Sequence, residues 1–144
     1  MKTVGALFLI MSLLLAGQTF AQDMEAKKYE NPEWYQVVFV DYVTGKEDDA
    51  RKLINDYFKK ASDNAGTSKP LMELALYSGE YDYMYIWKLE DGLQSLDWEV
   101  SPRQVEWGKA FMEMAGGKEK AQAISDEYSG YVKSVKVELA RKDN

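Results

Sequence analysis

Residues 71–89 constrain the fold more than any other stretch of the chain. Tyr81, Tyr83, Tyr85, Trp87 and Leu89 alternate with Asp82, Met84, Ile86 and Lys88. That is the two-residue period of a β-strand. Ser78-Gly79-Glu80 is a turn signal, and before it Leu71 to Tyr77, opened by Pro70, reads as a second strand. A connection this short makes the two an antiparallel hairpin.

The flanking segments supply the rest of an α+β domain. Trp34 to Val43 (WYQVVFVDYV) is β-branched and aromatic, with apolar groups on both faces. It predicts a strand covered on both sides. Thr44 with Glu47 three residues on matches a capping box. Ala50, Leu53, Ile54, Tyr57, Phe58, Ala61 and Ala65 then follow the i, i+3, i+4 spacing of a helix with one buried stripe, ended by Gly66. Each large side chain on such a stripe gains about 1.5–3 kcal/mol if fully buried.

Between residues 90 and 130 no strand pattern occurs. Leu93 and Leu96 predict a short helical turn near Ser95. Ser101-Pro102-Arg103-Gln104 combines an N-cap Ser, Pro at the first helical position and Gln at the third. Val105, Ala110, Phe111, Met112 and Met114 populate that helix, and Gly116-Gly117 breaks it. Lys118 to Tyr128 is a further helix, buried at Ala121, Ile124 and Tyr128. Tyr131 to Leu139 is the last strand. The order β-α-β-β-α-α-β is the split βαβ pattern of a ferredoxin-like, four-stranded antiparallel sheet. Right-handed crossovers place every helix on one face of it.

The ends carry a different signal. Lys2, the apolar run Val4 to Leu15 and the small-residue exit Ala16 to Ala21 form a secretory signal pattern with cleavage after Ala21. The run is short for a membrane anchor of roughly 20 residues, and no basic cluster follows it. The expected division is a signal peptide at 1–21, a flexible leader at 22–32, one domain at 33–140 and a charged tail at 141–144. The expected location is the periplasm or the outside of the cell, with no stable membrane insertion after cleavage. The chain has no Cys, so neither a disulfide nor a lipid-bearing Cys contributes. Its net charge of −6 opposes phosphate backbones, which argues against nucleic-acid binding.

Helices cover only one face of such a sheet. The aliphatic Val38, Val40, Met72, Leu74, Leu76, Met84 and Ile86 suit the helix side. Tyr35, Val37, Phe39, Tyr77, Tyr83, Tyr85 and Trp87 are then expected on the open face. That is too much apolar surface to leave wet on a monomer, so a second subunit or a ligand covers it.

The strand YQVVFVDYV, the helix TGKEDDARKLINDYF and the hairpin LMELALYSGEYDYMYIWKLED resemble, in pattern and order, the dimeric α+β barrel superfamily. That group includes monooxygenases of the antibiotic-biosynthesis type and uncharacterised domains. The resemblance spans nearly all of the chain after residue 21 but rests on no invariant motif. It implies a homodimer with two facing sheets, and cavities that bind small, often planar molecules.

The chain has no His. Histidine-ligated haem, His-based acid–base chemistry and Ser-His-Asp triads are therefore excluded. Without Cys or His the chain lacks the usual ligands of a zinc or copper site, and no EF-hand spacing occurs; no metal and no cofactor are expected. Asp41 shares parity with Val37 and Phe39. It is either a carboxylate of raised pKa on that face or an exposed strand-end acid near Thr44. Glu73, in register with Leu71 and Tyr77, is a candidate base or a salt-bridge partner.

Tyr83, Tyr85 and Trp87, with Tyr35, Phe39 and Tyr77, are candidates to stack on a planar ligand or to form a dimer interface. Arg103 is a candidate carboxylate clamp, and Trp107, with Trp98, a candidate pocket wall. Three functions fit: a dimeric domain binding a small planar or apolar ligand, a cofactor-independent monooxygenase or isomerase, or an extracytoplasmic protein-interaction module using exposed Tyr and Trp.

Overall fold

A computed structural model describes residues 25–143, so the signal-like segment 1–21 lies outside the described residues. The chain divides into two units, Met1–Glu30 and Asn31–Asn144. Of the first, residues 25–30 carry no regular helix or strand. The second unit holds every described helix and strand, and among the described residues no helix is long and apolar enough to cross a membrane.

The elements are β1 (Glu33–Tyr42), α1 (Glu47–Leu53), a π-helical segment (Ile54–Phe58), α2 (Lys59–Ala65), β2 (Met72–Ala75), β3 (Tyr83–Leu89), a 3₁₀ turn (Gly92–Leu96), α3 (Pro102–Ala115), α4 (Lys118–Tyr131) and β4 (Val132–Lys142). The sheet runs β2-β3-β1-β4, and each neighbouring pair is antiparallel. This is the α+β, ferredoxin-like architecture expected from the order of elements.

Local signals account for several boundaries. Ser101 caps α3: its hydroxyl accepts from the Gln104 amide at 3.2 Å, and the Gln104 side chain accepts from the Ser101 amide at 2.7 Å. Gly66 ends α2 with φ +63°, a left-handed conformation that suits glycine. The expected Thr44 cap does not form. Lys46 is the N-cap of α1 and makes no side-chain cap bond. Its amide instead closes a turn on the Val43 carbonyl at 2.8 Å, and Glu47, Asp48 and Asp49 supply negative charge to the first turn.

Several strand limits also move; β3 begins at Tyr83 and not at Tyr81, and β4 at Val132 and not at Tyr131. β2 ends at Ala75, leaving Tyr77 outside it. β4 continues to Lys142, into the segment read as a tail. There Arg141 lies over the Trp34 ring at 5.8 Å, and Lys142 meets the Glu33 carboxylate at 3.2 Å; these cross-strand contacts hold the charged end in the sheet.

The faces of the sheet are exchanged relative to the expectation for β2 and β3. β1 pairs Val38 with Tyr85, Val40 with Tyr83 and Gln36 with Trp87. Directly opposed residues point to the same side, so Tyr83, Tyr85 and Trp87 lie with Val38 and Val40 under the helices. Val40, Tyr42, Ala50, Tyr83 and Tyr85 form one buried cluster there, with Tyr128 and Tyr131 packed against it. A second cluster joins Ala61, Phe111 and Ala121 between the helices. Met72, Leu74, Met84 and Ile86, assigned to the helix side by aliphatic character, occupy the open face with Val37 and Phe39.

Candidate functional site

The site begins with a break in helical periodicity. From Ile54 to Phe58 the chain takes a π-helical turn between α1 and α2. π-turns cost regular hydrogen bonding and recur where side chains must be re-aimed at functional sites. Ile54 and Phe58 line a cavity of about 290 Å³ between this helix and the sheet. Phe58 meets three rings edge-on: Trp107 at 5.9 Å, Phe111 at 5.4 Å and Tyr128 at 5.1 Å. Its carbonyl accepts from Trp107 Nε1 at 3.3 Å and from the Ser62 hydroxyl at 3.2 Å, tying α3 to α2 at the cavity wall.

The sheet supplies the opposite wall through Val38, Val40, Tyr85 and Trp87. The Tyr85 hydroxyl lies 3.4 Å from that of Tyr42. Burial raises the pKa of both tyrosines, and hydrogen bonds to Tyr85 and Tyr128 raise Tyr42 further. Both stay protonated at neutral pH, so neither serves as a phenolate base. Glu73 in β2 and Lys59 in α2 close one side as an ion pair at 2.8 Å, with side chains 28% and 32% exposed. That partial exposure puts the charged pair at the rim and leaves the interior apolar.

Of the residues singled out from the sequence, the structure brings Tyr85, Trp87, Trp107 and Glu73 together around this cavity. Tyr83 packs beside them, stacked on Tyr85 at 6.0 Å with the Arg51 guanidinium over its ring at 4.6 Å. Arg103 lines two adjoining hollows, one of them shared with Trp98. The others lie elsewhere. Tyr77 is fully exposed. Phe39 sits on the open face against Tyr81 at 5.5 Å. Asp41, on that same face, is held by Lys133 at 2.8 Å, away from the cavity.

Phe58, Tyr128, Lys59 and Ser62 were not singled out. The first two were legible as apolar positions on predicted helices, but nothing local marks a π-turn. The aromatic cavity thus lies within one chain, under the helices, and not on the face expected to meet a partner.

Tyr35, also on the open face, donates to Glu33 at 3.0 Å. Lys88 pairs with the same carboxylate. The hydrogen bond from Lys88, then those from Tyr35 and Lys142, lower the Glu33 pKa from 4.5 to about 2. A depressed carboxylate contributes stability above its unfolded pKa and loses it as pH falls through the folded one. Glu33→Gln is therefore expected to flatten the decline of stability between pH 4.5 and about 2, read by urea unfolding at stepped pH. An unchanged slope would mean the cluster contributes nothing.

Solved structures share this architecture. A NIPSNAP family protein of unknown function from Agrobacterium tumefaciens strain C58 superposes with a TM-score of 0.52 at 10% identity, over 84% of this chain and 96% of its own. A second NIPSNAP family protein from that strain superposes at 0.50 with 13% identity, over 76% of this chain and 91% of its own. At these identities the likeness shows the fold alone. No protein-family model matches the chain, and no curated protein does.

Proposed function

We propose that this chain is an exported binding domain that takes a small, planar, largely apolar ligand into the cavity between its sheet and helices. The observation that carries the reading is the cavity wall. Phe58, Tyr85, Trp87, Trp107 and Tyr128 line about 290 Å³, and the charged groups on its wall, the Lys59–Glu73 pair and Lys69, are each held in an ion pair. Concave, aromatic-lined spaces with a few polar groups are the usual form of small-molecule sites. The signal pattern at 1–21 supports export. The two Agrobacterium structures support only the fold, which is compatible with the dimeric α+β barrel arrangement.

A homodimer belongs to the same proposal. The open face presents Val37, Phe39, Met84 and Ile86 together with Met72 and Leu74, the last two 48% and 38% exposed. Lys136 and Glu138 stand beside them opposite Phe39 and Val37. A two-fold copy covers such a patch with itself and matches its charges of both signs.

The experiment is titration with 2-naphthamide, a neutral planar probe, followed by tryptophan fluorescence. Saturable binding that Trp107→Ala weakens about tenfold or more is expected. No binding, or binding indifferent to Trp107, contradicts the cavity reading.

The position of Glu73 favours one second reading, a cofactor-independent oxygenase or isomerase in which that carboxylate removes a proton from the bound molecule. It expects turnover within a panel of quinols and aromatic acids, abolished by Glu73→Gln. Absence of turnover across the panel leaves the binding domain alone.

A further inference from the structure

Beside the aromatic cavity lies a smaller chamber of about 240 Å³, sharing the Ser62, Trp87 and Trp107 walls and completed by Thr67, Ser68, Arg103 and Gln104. Two features distinguish it. First, Thr67 Oγ1 is buried without a hydrogen-bond partner. A buried hydroxyl in that state costs free energy until a ligand or water meets it.

Second, the other cations around these hollows are committed to acids: Lys59 to Glu73, Lys69 to Asp63 and Lys88 to Glu33. Arg103 is not. Its described hydrogen bond runs from Nη1 to the Ser68 hydroxyl at 2.7 Å, and among the described residues no carboxylate pairs with it. Glu90 and Asp91 line the outer groove that Arg103 also borders, yet neither forms an ion pair with it. The chain carries 24 acidic against 18 basic residues, so an unmatched guanidinium next to an aromatic cavity is not explained by a shortage of partners.

A guanidinium offers a planar fork of donors that fits a carboxylate in two parallel bonds, and flanking hydroxyls add donors. We infer that the smaller chamber receives the carboxylate of a ligand whose flat apolar body lies between the rings of the inner cavity. The ligand class is a planar aromatic or conjugated carboxylic acid, in preference to a neutral hydrocarbon or an amine. This rests on the reading of the aromatic cavity as a ligand site.

The test compares 2-naphthoate with 2-naphthamide, the same ring system with and without charge, by calorimetric titration of the full chain. The acid is expected to bind about tenfold or more tightly than the amide. Arg103→Gln is expected to bring the ratio close to one, and Thr67→Val to reduce it. Arg103 is exposed, so the thermal unfolding of Arg103→Gln should match the parent and separate a binding effect from a folding one. Equal binding of acid and amide overturns the inference while leaving the cavity reading intact. An acid preference that survives Arg103→Gln also overturns it. If neither compound binds, both readings fall together.

Discussion

Phe111→Ala is expected to destabilise the domain by about 3–5 kcal/mol, the range for deleting a buried phenyl ring. The ring is 4% exposed. Trp107 stacks on it at 5.0 Å and Phe58 meets it edge-on at 5.4 Å. The cavity left behind cannot collapse easily, because α2, α3 and α4 all contribute side chains to the same cluster. For a domain of this size the loss corresponds to a fall in Tm of roughly 10–20 °C. Trp107 also lines the aromatic cavity, so probe affinity should fall with stability. Phe111→Leu keeps most of the volume and should lose much less of both. A loss below about 1 kcal/mol would mean that the aromatic cluster is not what holds the helices together.

Ile86→Glu is expected to convert a homodimer into a folded monomer. Ile86 pairs across the sheet with Val37 and Met72, in the middle of the open face. A carboxylate there, desolvated against the apolar middle of the copy's face, costs about 3–5 kcal/mol of association, a weakening of roughly 100-fold or more. The same substitution leaves the cavity untouched, because the register places Ile86 on the side away from Tyr85 and Trp87. Sedimentation at micromolar concentration should show a dimer for the parent and a monomer for the variant, with similar helix content. A parent chain that sediments as a monomer would remove the dimer from the proposal without affecting the cavity.

The two variants act on opposite faces, and that division was the hardest property to read from the sequence. The Ser101 capping box, the Gly66 stop and the 71–89 hairpin are decided by residues close along the chain, and the structure contains them. Which way Tyr83 and Tyr85 point is decided by the pairing of β3 with β1, more than 40 residues earlier in the chain. A shift of one residue in such a register exchanges the two faces. Tyrosine and tryptophan suggested a partly solvated interface because each carries a polar tip. Here the tips are satisfied inside, Tyr42 against Tyr85 and Trp107 against the Phe58 carbonyl.

The candidate site was legible for the same reasons, and to the same extent. Tyr85, Trp87 and Trp107 were nominated by residue type, and Glu73 by its place in a strand. Phe58 and Ile54 looked like ordinary positions on a helical stripe. Both lie in the π-turn at Ile54–Phe58 and line the cavity, and no capping or glycine signal announces such a turn. The ion pair of Glu73 with Lys59 joins β2 to α2, a contact fixed by tertiary packing that neither segment specifies alone.

Small planar molecules that enter the space between sheet and helices will meet two of the four indole rings. Two-dimensional NMR of the indole N–H signals during titration with 2-naphthamide reads this contact. Trp87 and Trp107 line the cavity, whereas Trp98 is 57% exposed and Trp34 pairs across the sheet with Leu89. Saturable shifts of the Trp87 and Trp107 signals, with Trp34 and Trp98 nearly still, are the predicted result. Shifts confined to Trp98 or Trp34, or none at any concentration, would contradict it.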